Sequence, residues 1–179
     1  MKWFIASDIH GDAACCKKMT EAFYAEEADK MLLLGDILYH GPRNPIPAGY
    51  DPKATADMLN KISDKIICVK GNCDSEVDGM MLEFNLSLPL VAIVEGDRII
   101  YAVHGHDSSA ITAVGEKDII LCGHTHISGY KKEQKGIVCN PGSVSLPKGG
   151  TARGYMTLEN GLFEWKDLDG GTQYYLSIK

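Results

Sequence analysis

KMLLLGDILYHG, residues 30–41, combines an unbroken apolar run with a glycine and an acidic residue at its end. A continuous apolar run of this length is typical of a strand that is buried on both faces of a sheet. Two similar runs, WFIAS at 3–7 and KIICVKG at 65–71, lie on either side of it in the chain. Helical spacing of apolar residues predicts helices over about 12–28 and about 53–63. The resulting β-α-β-α-β order predicts a parallel sheet with right-handed crossovers.

The sequence pattern changes after residue 86, where short predicted strands are separated by turn residues. Hairpins are predicted with turns at 95–97, near 135–136 and at 160–161, and the last of these is an Asn-Gly pair. A further buried strand is predicted in DIILCGH, residues 118–124. One sheet packed on another, with helices outside, accommodates both halves of the chain. The predicted fold class is therefore α/β, an α+β sandwich of two packed mixed β-sheets flanked by helices, with residues 1–179 forming a single domain.

Composition and charge narrow the function classes. The chain has 45% hydrophobic and 23% charged residues, which is ordinary for a globular domain. It contains neither an apolar run long enough to span a membrane nor a signal-peptide pattern, so a cytoplasmic protein without membrane contact is expected. With 18 basic and 24 acidic side chains the formal charge is −6, and no basic stripe is visible. Sequence-wide nucleic-acid binding is therefore not expected, although a small phosphate-bearing substrate remains compatible.

The six cysteines do not predict a disulfide framework or a structural zinc site. Two of them, Cys15 and Cys16, are adjacent in a predicted helix, and no C-x-x-C pair occurs in the chain. Buried free thiols in a reducing compartment are the simpler interpretation for all but Cys73, which lies among polar residues.

Polar residues follow five of the predicted strands, at the point where each strand ends. In an open α/β sheet, ligands bind outside the carboxyl ends of the strands. Taken singly, each residue is better explained as a capping Asp, a turn Asn or a hydrogen-bonded surface His. All six histidines of the chain, however, fall in these segments or in the adjoining loop. The seven candidate metal ligands are Asp8, His10, Asp36, Asn72, His104, His124 and His126.

The chemistry of this set restricts the metal. Four imidazoles, two carboxylates and one amide oxygen are too rich in nitrogen for calcium, and they lack the thiolates of a structural zinc site. They suit two first-row divalent ions, with Mn²⁺ expected first and Fe²⁺, Co²⁺, Ni²⁺ or Zn²⁺ as alternatives. Two such ions about 3.5–4 Å apart can clamp a phosphoryl group and activate a water molecule. Asp36 is the natural carboxylate to bridge them.

These segments resemble the five sequence blocks of the calcineurin-like metallophosphoesterases, D-x-H, G-D, G-N-H-D/E, H-G and G-H-T-H. The corresponding segments are DIHG (8–11), GDILYHG (35–41), GNCD (71–74), HGH (104–106) and GHTH (123–126). GDILYHGPRN, GNCDSEVD and NPGSVSLPKGG (140–150) are similar to the YfcE-type bacterial branch of that family. The resemblance implies the metallophosphoesterase fold, two mixed sheets packed as a sandwich with helices outside.

The resemblance also implies an enzyme, a metal-dependent phosphodiesterase that hydrolyses a small phosphodiester. Hydroxide bridging two divalent ions would attack phosphorus, with Asp36, Asn72 and His104 as catalytic residues. The ligands it implies for one ion are Asp8, His10, Asp36 and His126. Those for the other ion are Asp36, Asn72, His104 and His124.

Four further residues are candidates for substrate contact, and they include the departures from the family pattern. Cys73 stands where many family members have a histidine that can protonate the leaving group. A neutral thiol is a poor acid, so esters with good leaving groups are expected, although Cys73 could equally be a space-filling residue. His40 and Arg43, in the loop after the second strand, are candidates for contact, as is His106. Asp74 is expected to orient its neighbours by hydrogen bonding.

Alternatives remain open at the level of the sequence. The same dinuclear site would serve a phosphomonoesterase or a nucleotide pyrophosphatase. A retromer subunit that shares this fold is a non-catalytic protein-binding scaffold, but such a scaffold need not retain all seven ligands. MMLEFNLSLPL (80–90) is a candidate exposed apolar edge, with a place in the core as the alternative. The resemblance is compatible with a homodimer or a homotetramer.

Overall fold

Two β-sheets pack face to face in the computed structural model, which describes residues 1–107, 109, 111 and 113–178. The first half of the chain alternates strands and helices as predicted. Its elements are β1 (Trp3–Ala6), α1 (Ala13–Ala25), β2 (Lys30–Leu33), α2 (Pro52–Asn60), a 3-10 turn (Ser63–Lys65), β3 (Ile66–Cys68) and α3 (Glu76–Met81). The elements described in the second half are the strands β4 (Val91–Glu95), β5 (Arg98–Ala102), β6 (Ile119–Leu121), β7 (Gly129–Lys132), β8 (Ile137–Asn140), β9 (Gly154–Glu159), β10 (Leu162–Asp167) and β11 (Thr172–Ser177).

Both sheets are mixed, which confirms the predicted fold class. The six-stranded sheet has the order β11-β10-β9-β1-β2-β3, and the five-stranded sheet has the order β4-β5-β6-β8-β7. In the first sheet β1, β2 and β3 run parallel, while β9 lies antiparallel to β1 with Trp3 opposite Leu158. In the second sheet β5, β6 and β8 run parallel. Each sheet therefore contains three adjacent parallel strands, at one side of the first sheet and in the middle of the second, and the carboxyl ends of each set point the same way.

The apolar runs at the start of the chain are continuous because both faces of these strands are buried. In β1, Phe4 faces the core under the helices, whereas Ile5 faces the core between the two sheets. In β2, Leu33 faces the core under the helices and Leu32 faces the core between the two sheets. Burying a side chain of this size stabilises the fold by about 1.5–3 kcal/mol. The second core continues into Trp165 of the C-terminal hairpin, so that hairpin belongs to the same sandwich.

The three predicted hairpin turns are confirmed, whereas some helix boundaries are not. The predicted first helix is too long, because α1 ends at Ala25 and Glu27 has a left-handed backbone, with φ 51°. The second helix was predicted to reach residue 63 but ends at Asn60. Helix α3 was not predicted. Ser75 caps it by a reciprocal pair of hydrogen bonds with Asp78.

The segment 80–90 is neither a wholly exposed edge nor wholly core. Met80 is 82% exposed, whereas Leu82 and Leu86 are buried. Within the described part of the chain, no helix is both long and apolar enough to cross a membrane.

Candidate metal centre

The parallel strands of the two sheets end at one place, where the predicted ligands meet. Asp8, Asp36 and Asn72 follow β1, β2 and β3 of the first sheet, and His104 and His124 follow β5 and β6 of the second. Hydrogen bonds tie the two sets together across the sandwich. His104 Nδ1 lies 2.6 Å from the carbonyl oxygen of Leu34, and the His124 N–H donates to Asp8 Oδ2 at 3.0 Å.

Gly35 allows this convergence. Its φ is +92°, a left-handed conformation that glycine adopts at little cost. A Cβ atom there would lie 2.6 Å from the Gly71 Cα and 2.9 Å from His104 Nδ1. The backbones that carry Asp36 and Asn72 therefore approach more closely than any side chain at residue 35 would permit.

The first group of candidate ligands consists of Asp8, His10 and His126, all three of them buried. His10 Nδ1 lies 2.8 Å from the Tyr39 carbonyl oxygen, and His126 Nδ1 lies 2.7 Å from that of Leu146. Since a carbonyl only accepts, both Nδ1 atoms carry a proton, and in the neutral imidazole each Nε2 then has a lone pair. The two Nε2 atoms lie 3.3 Å apart, and His126 Nε2 is also 3.3 Å from Asp8 Oδ1.

Asp8 Oδ1 is the buried side-chain oxygen that has no hydrogen-bond partner among the described residues. A buried charged oxygen without a partner is costly, and two imidazole lone pairs that face it add repulsion rather than compensation. A divalent cation would satisfy all three donor atoms at once. The residues present therefore fit a metal ion.

The candidate ligands predicted for the second ion, Asp36, Asn72, His104 and His124, lie beside the first group. His104 Nε2 is 2.9 Å from Asn72 Oδ1 and 3.4 Å from Asp36 Oδ2. The His124 ring centroid lies 5.1 Å from that of His104. Asp36 Oδ2 also lies 3.7 Å from His10 Nε2, so this carboxylate reaches toward both groups.

The ionisation of Asp36 and His104 is coupled. Burial alone would raise the pKa of Asp36, but its hydrogen bond and charge interaction with His104 outweigh burial and bring the pKa to about 2. Burial alone would lower the pKa of His104. The hydrogen bond to Asp36 and the negative charges of Asp8 and Asp36 outweigh burial, so that the pKa rises to about 9. Without metal, this histidine is therefore protonated at neutral pH.

Two other histidines are held neutral. Burial lowers the pKa of His10, with opposing contributions from its hydrogen bond to Tyr39 and from nearby carboxylates. Burial and the charge of His104 lower the pKa of His124. Neutral imidazole is the form that binds a metal ion.

Asp74 connects the loops that carry the ligands. Its carboxylate accepts from the backbone N–H groups of Asp36, Ile37 and Gly71 at 2.7–2.9 Å. Burial raises its pKa to about 6 despite those bonds. It contacts none of the candidate ligand side chains among its hydrogen bonds, so its geometry is that of a positioning residue.

Cys73 lies next to the ligands, and its Sγ is grouped with donor atoms of His10 and Asp36 within 4.8 Å. Burial, followed by the charge of Asp36, raises the pKa of its thiol to about 12. The thiol is therefore neutral at physiological pH.

Two clefts open on either side of the ligand groups. The first has a volume of about 640 Å³, and its lining includes Asp36, Cys73, His124 and His126 together with Tyr39, Pro42, Arg43, Asn44, Thr125 and Lys148. The second has a volume of about 660 Å³, and its lining includes His104, His106 and Asp74 together with Lys70, Ser87, Pro89, Asp107 and Ser109. Asn72 lines both.

The candidate substrate contacts are thus distributed unequally. Arg43 and Cys73 line the first cleft and His106 lines the second. His40 is not among the described lining residues of either cleft. Its ring lies beside those of Tyr39 and Tyr50, and its Nδ1 is 2.9 Å from the Gly41 carbonyl oxygen. Its contact with substrate stays a prediction that this geometry does not favour.

Lys148 is a charged lining residue of the first cleft that sequence reasoning missed. Its backbone N–H donates to the carbonyl oxygen of His126 at 2.9 Å, which fixes it beside the ligand. It follows no strand end and lies 22 positions after His126 in the chain, so only its place in the segment 140–150 could have suggested it.

The chain is similar to known proteins over most of its length. The model of the calcineurin-like phosphoesterase superfamily domain matches residues 1–161. Phosphodiesterase YfcE of Escherichia coli strain K12 is 41% identical over 162 residues, which cover 89% of this chain and 88% of that protein. A probable metallophosphoesterase of Bacillus subtilis, YsnB, is 35% identical over 103 residues, covering 51% of this chain and 56% of that protein.

Solved structures give the same relationship at the level of the fold. The structure of the E. coli phosphoesterase Yfce superposes with a TM-score of 0.94 at 36% identity, and covers 100% of both chains. Wild-type Vps29 from Entamoeba histolytica, complexed with Zn²⁺, superposes with a TM-score of 0.64 at 20% identity, again over 100% of both chains. At that identity the second likeness concerns the fold alone.

Proposed function

The chain belongs to the calcineurin-like phosphoesterase superfamily, and from that premise we propose that its metal centre hydrolyses a small phosphodiester. The match confirms the family predicted from the five sequence blocks. Identity of 41% to a curated phosphodiesterase over most of the chain makes it an enzyme, a phosphoric ester hydrolase. The finer proposal concerns the two metal ions, the ligands that hold them and the kind of ester that is cleaved.

The unpartnered Asp8 Oδ1 is the observation that carries the proposal. Together with the facing Nε2 atoms of His10 and His126, it supports one divalent ion, with Asp36 as the fourth ligand. Asp36, Asn72, His104 and His124 would hold a second. When bound, two divalent ions supply Lewis acidity, which lowers the pKa of a water molecule and offsets the charge on the phosphoryl oxygens. Mn²⁺ is the ion proposed first, and Fe²⁺, Co²⁺, Ni²⁺ and Zn²⁺ are the alternatives for this mixed nitrogen and oxygen donor set.

The reaction adds the oxygen of water to phosphorus and breaks one phosphorus–oxygen ester bond. The products are an alcohol and a phosphomonoester, so no further reactant is needed. Asp36, Asn72 and His104 act closest to the reacting atoms, because their donor atoms lie at the boundary of the two clefts. Asp74 holds the backbone on which Asp36 and Asn72 are mounted.

Cys73 favours esters that leave without protonation. Burial and the charge of Asp36 raise the pKa of the thiol to about 12 in the metal-free protein, and a neutral thiol gives little help to a departing alkoxide. Diesters and esters with good leaving groups need this help least. A phosphomonoesterase with a dinuclear centre remains the alternative, and the relative rates on the two ester types decide between them.

A small substrate fits the site better than a polymer. Clefts of this volume are the size that binds a molecule of a few hundred daltons. The formal charge of −6 disfavours extended contact with nucleic acid. A scaffold role alone would give the chain no reason to retain the buried Asp8 Oδ1 and the facing imidazoles. We further propose that residues 1–179 act as one domain in the cytoplasm, consistent with six free cysteines.

The test is to remove metal with a chelator, restore Mn²⁺, and assay bis(p-nitrophenyl) phosphate against p-nitrophenyl phosphate. Asp36→Asn removes the carboxylate shared by both ligand groups, and Asp57→Asn on the exposed surface of α2 is the matched control. We expect Mn²⁺-dependent diester hydrolysis that is lost in the first variant and kept in the second. Faster monoester hydrolysis would favour the alternative. Two bound metals without cleavage of either ester would count against the proposal.

A further inference from the structure

The two clefts flank the ligand groups as a pair, and this gives the proposed substrate two places for its ester groups. Asn72 lines both clefts, and its Oδ1 contacts His104 Nε2 at 2.9 Å. A phosphoryl group held at the ligands therefore has one opening on the side of His126 and another on the side of His106. A phosphodiester carries two organic groups on phosphorus, whereas a monoester carries one. Two clefts of nearly equal volume thus suit a diester.

The clefts differ in charge. The first contains two exposed cations, Arg43 and Lys148, and Asp36 is the one carboxylate among its described lining residues. Within the described part of the chain, neither cation forms an ion pair with a carboxylate. The second cleft contains one cation, Lys70, and an exposed anion, Asp107, as well as His106. The first cleft is therefore positive, while the exposed charges of the second nearly balance.

Local structure directs the two cations to the same mouth. Arg43 lies in a turn that is closed by a hydrogen bond from the Asn44 N–H to the Gly41 carbonyl oxygen. Lys148 Nζ lies 3.4 Å from Asn44 Oδ1, so its ammonium group is held next to the same turn. Lys148, from the segment that follows β8, thus reaches the turn that carries Arg43.

These cations exceed what a plain diester requires. A phosphodiester has a single negative charge at phosphorus, and the divalent ions of the proposed centre offset it. The protein has a formal charge of −6, and yet two further cations lie at the mouth of this cleft. A plain diester has no second negative group that they could bind. An additional anionic group on one ester arm would meet both, because guanidinium and ammonium groups bind carboxylates and phosphates by charge-assisted hydrogen bonds.

We propose that the substrate is an unsymmetrical phosphodiester with a second anion, a carboxylate or phosphate, on one arm. That anion binds Arg43 and Lys148 in the first cleft, while the uncharged arm occupies the second. The inference rests on the proposed diesterase function and adds the substrate class. Hydrolysis itself is unchanged, since water still adds to phosphorus and one ester bond still breaks.

Two synthetic diesters isolate the effect of the second anion. One is 4-carboxyphenyl p-nitrophenyl phosphate, and the other replaces the carboxylate with an uncharged carboxamide of nearly the same shape. The Mn²⁺-loaded enzyme is assayed on both, and the quantity measured is the ratio of their kcat/KM values. The variants are Arg43→Gln, Lys148→Gln and the double variant. Lys70→Gln in the second cleft and Lys135→Gln in the exposed β7–β8 turn are the matched controls.

The wild-type enzyme is expected to prefer the carboxylate ester. Each first-cleft variant should lower the ratio by about two- to fivefold, as expected for an exposed charge contact, and the double variant by more. Lys70→Gln and Lys135→Gln should leave the ratio unchanged. The preference should also shrink in about 1 M salt, which screens exposed charges.

Binding gives an independent measurement. Calorimetry on the same proteins should show that 4-carboxyphenyl phosphate, a product, binds more tightly than its carboxamide analogue, and that the difference disappears in the double variant. An unchanged ratio in the double variant would overturn the inference and leave the diesterase intact, since the cations would then serve the phosphoryl group alone. An equal fall of the ratio in either control would also overturn it. If neither diester is hydrolysed, the proposed function fails, and this inference fails with it.

Discussion

Gly35→Ala should lower both the free energy of unfolding and the affinity for metal, because the added methyl group would clash with the segments that carry candidate ligands. A positive φ alone should lower only the free energy of unfolding. Gly35 has φ +92°, and an added Cβ would lie 2.6 Å from the Gly71 Cα and 2.9 Å from His104 Nδ1. Neither neighbour is a flexible chain end, since one is backbone and the other is a ring fixed by its contact with Leu34. The substitution must therefore move the strand ends that carry Asp36 and His104.

The expected cost has two parts. A side chain in the left-handed region costs about 1–2 kcal/mol. Forcing a methyl group against packed backbone adds about 1–3 kcal/mol. Gly170 offers a matched control, because its φ is +88° and a Cβ there would meet nothing within 4 Å. Gly170→Ala should therefore lose about 1–2 kcal/mol of unfolding free energy, and Gly35→Ala about 2–5 kcal/mol.

Urea unfolding of the metal-free proteins measures the free energies, and competition with a chelator measures Mn²⁺ affinity. Displaced ligand backbones should weaken Mn²⁺ binding by about 10–100-fold in Gly35→Ala, a range seen when residues that position metal ligands are replaced. Gly170→Ala should bind Mn²⁺ as the wild type does. Equal stability and equal affinity in the two variants would show that the close approach at Gly35 does not hold the site together.

Three further predictions concern the ligands and their neighbour. Cys73→His should flatten the dependence of kcat/KM on leaving-group pKa across substituted aryl diesters, because imidazole can donate a proton that the thiol retains. Cys73→Ser is the control. An unchanged slope in the histidine variant contradicts the reasoning. Metal binding at pH 7.5 should release about one proton, because the His104 pKa of about 9 leaves it protonated without metal, and affinity should rise with pH up to about 9. Calorimetry in two buffers of different ionisation enthalpy measures this release, and its absence counts against the assignment. His124→Gly should raise the stability of the metal-free protein by up to about 1 kcal/mol while weakening metal binding, because glycine relieves the φ of 64°. His124→Ala retains the strain, so urea unfolding should find it less stable than His124→Gly.

The strands could be predicted from the sequence because their signals are local. The apolar runs of β1 and β2 are continuous because both faces of each strand are buried. Asn160-Gly161 favours a tight turn whatever position its two strands take in the sheet. The placement of β9 beside β1 could not be predicted. It pairs Trp3 with Leu158, two residues at opposite ends of the chain, and nothing in either strand specifies the partner. Sheet order depends on which packing buries most apolar area, and this is a property of the whole sandwich.

The same distinction holds for the site. His10 and His126 could be proposed as ligands because each follows a strand with a recognisable spacing. Lys148 could not, because only the fold of the loop after β8 brings its side chain to Asn44. Helix α3 was also hidden, because it has six residues and a glycine at position 79. Its formation depends on the capping hydrogen bonds of Ser75, and a pattern search over longer windows does not detect them.

Backbone strain ties the fold to the proposed chemistry. Seven described residues other than glycine have positive φ, and five of them are the proposed ligands Asp8, His10, Asp36, His124 and His126. Each such conformation costs about 1 kcal/mol or more, and a sequence under selection for stability alone would place glycine there. Glycine carries no donor atom, however. Aspartate and histidine at these bends lower the stability of the fold but supply donor atoms for a metal ion. A bound cation would restore part of that stability, because it would satisfy Asp8 Oδ1 and the facing imidazoles. The strain is concentrated where the chain turns out of each strand, so the turns that end the strands are also what aims the ligands at one point.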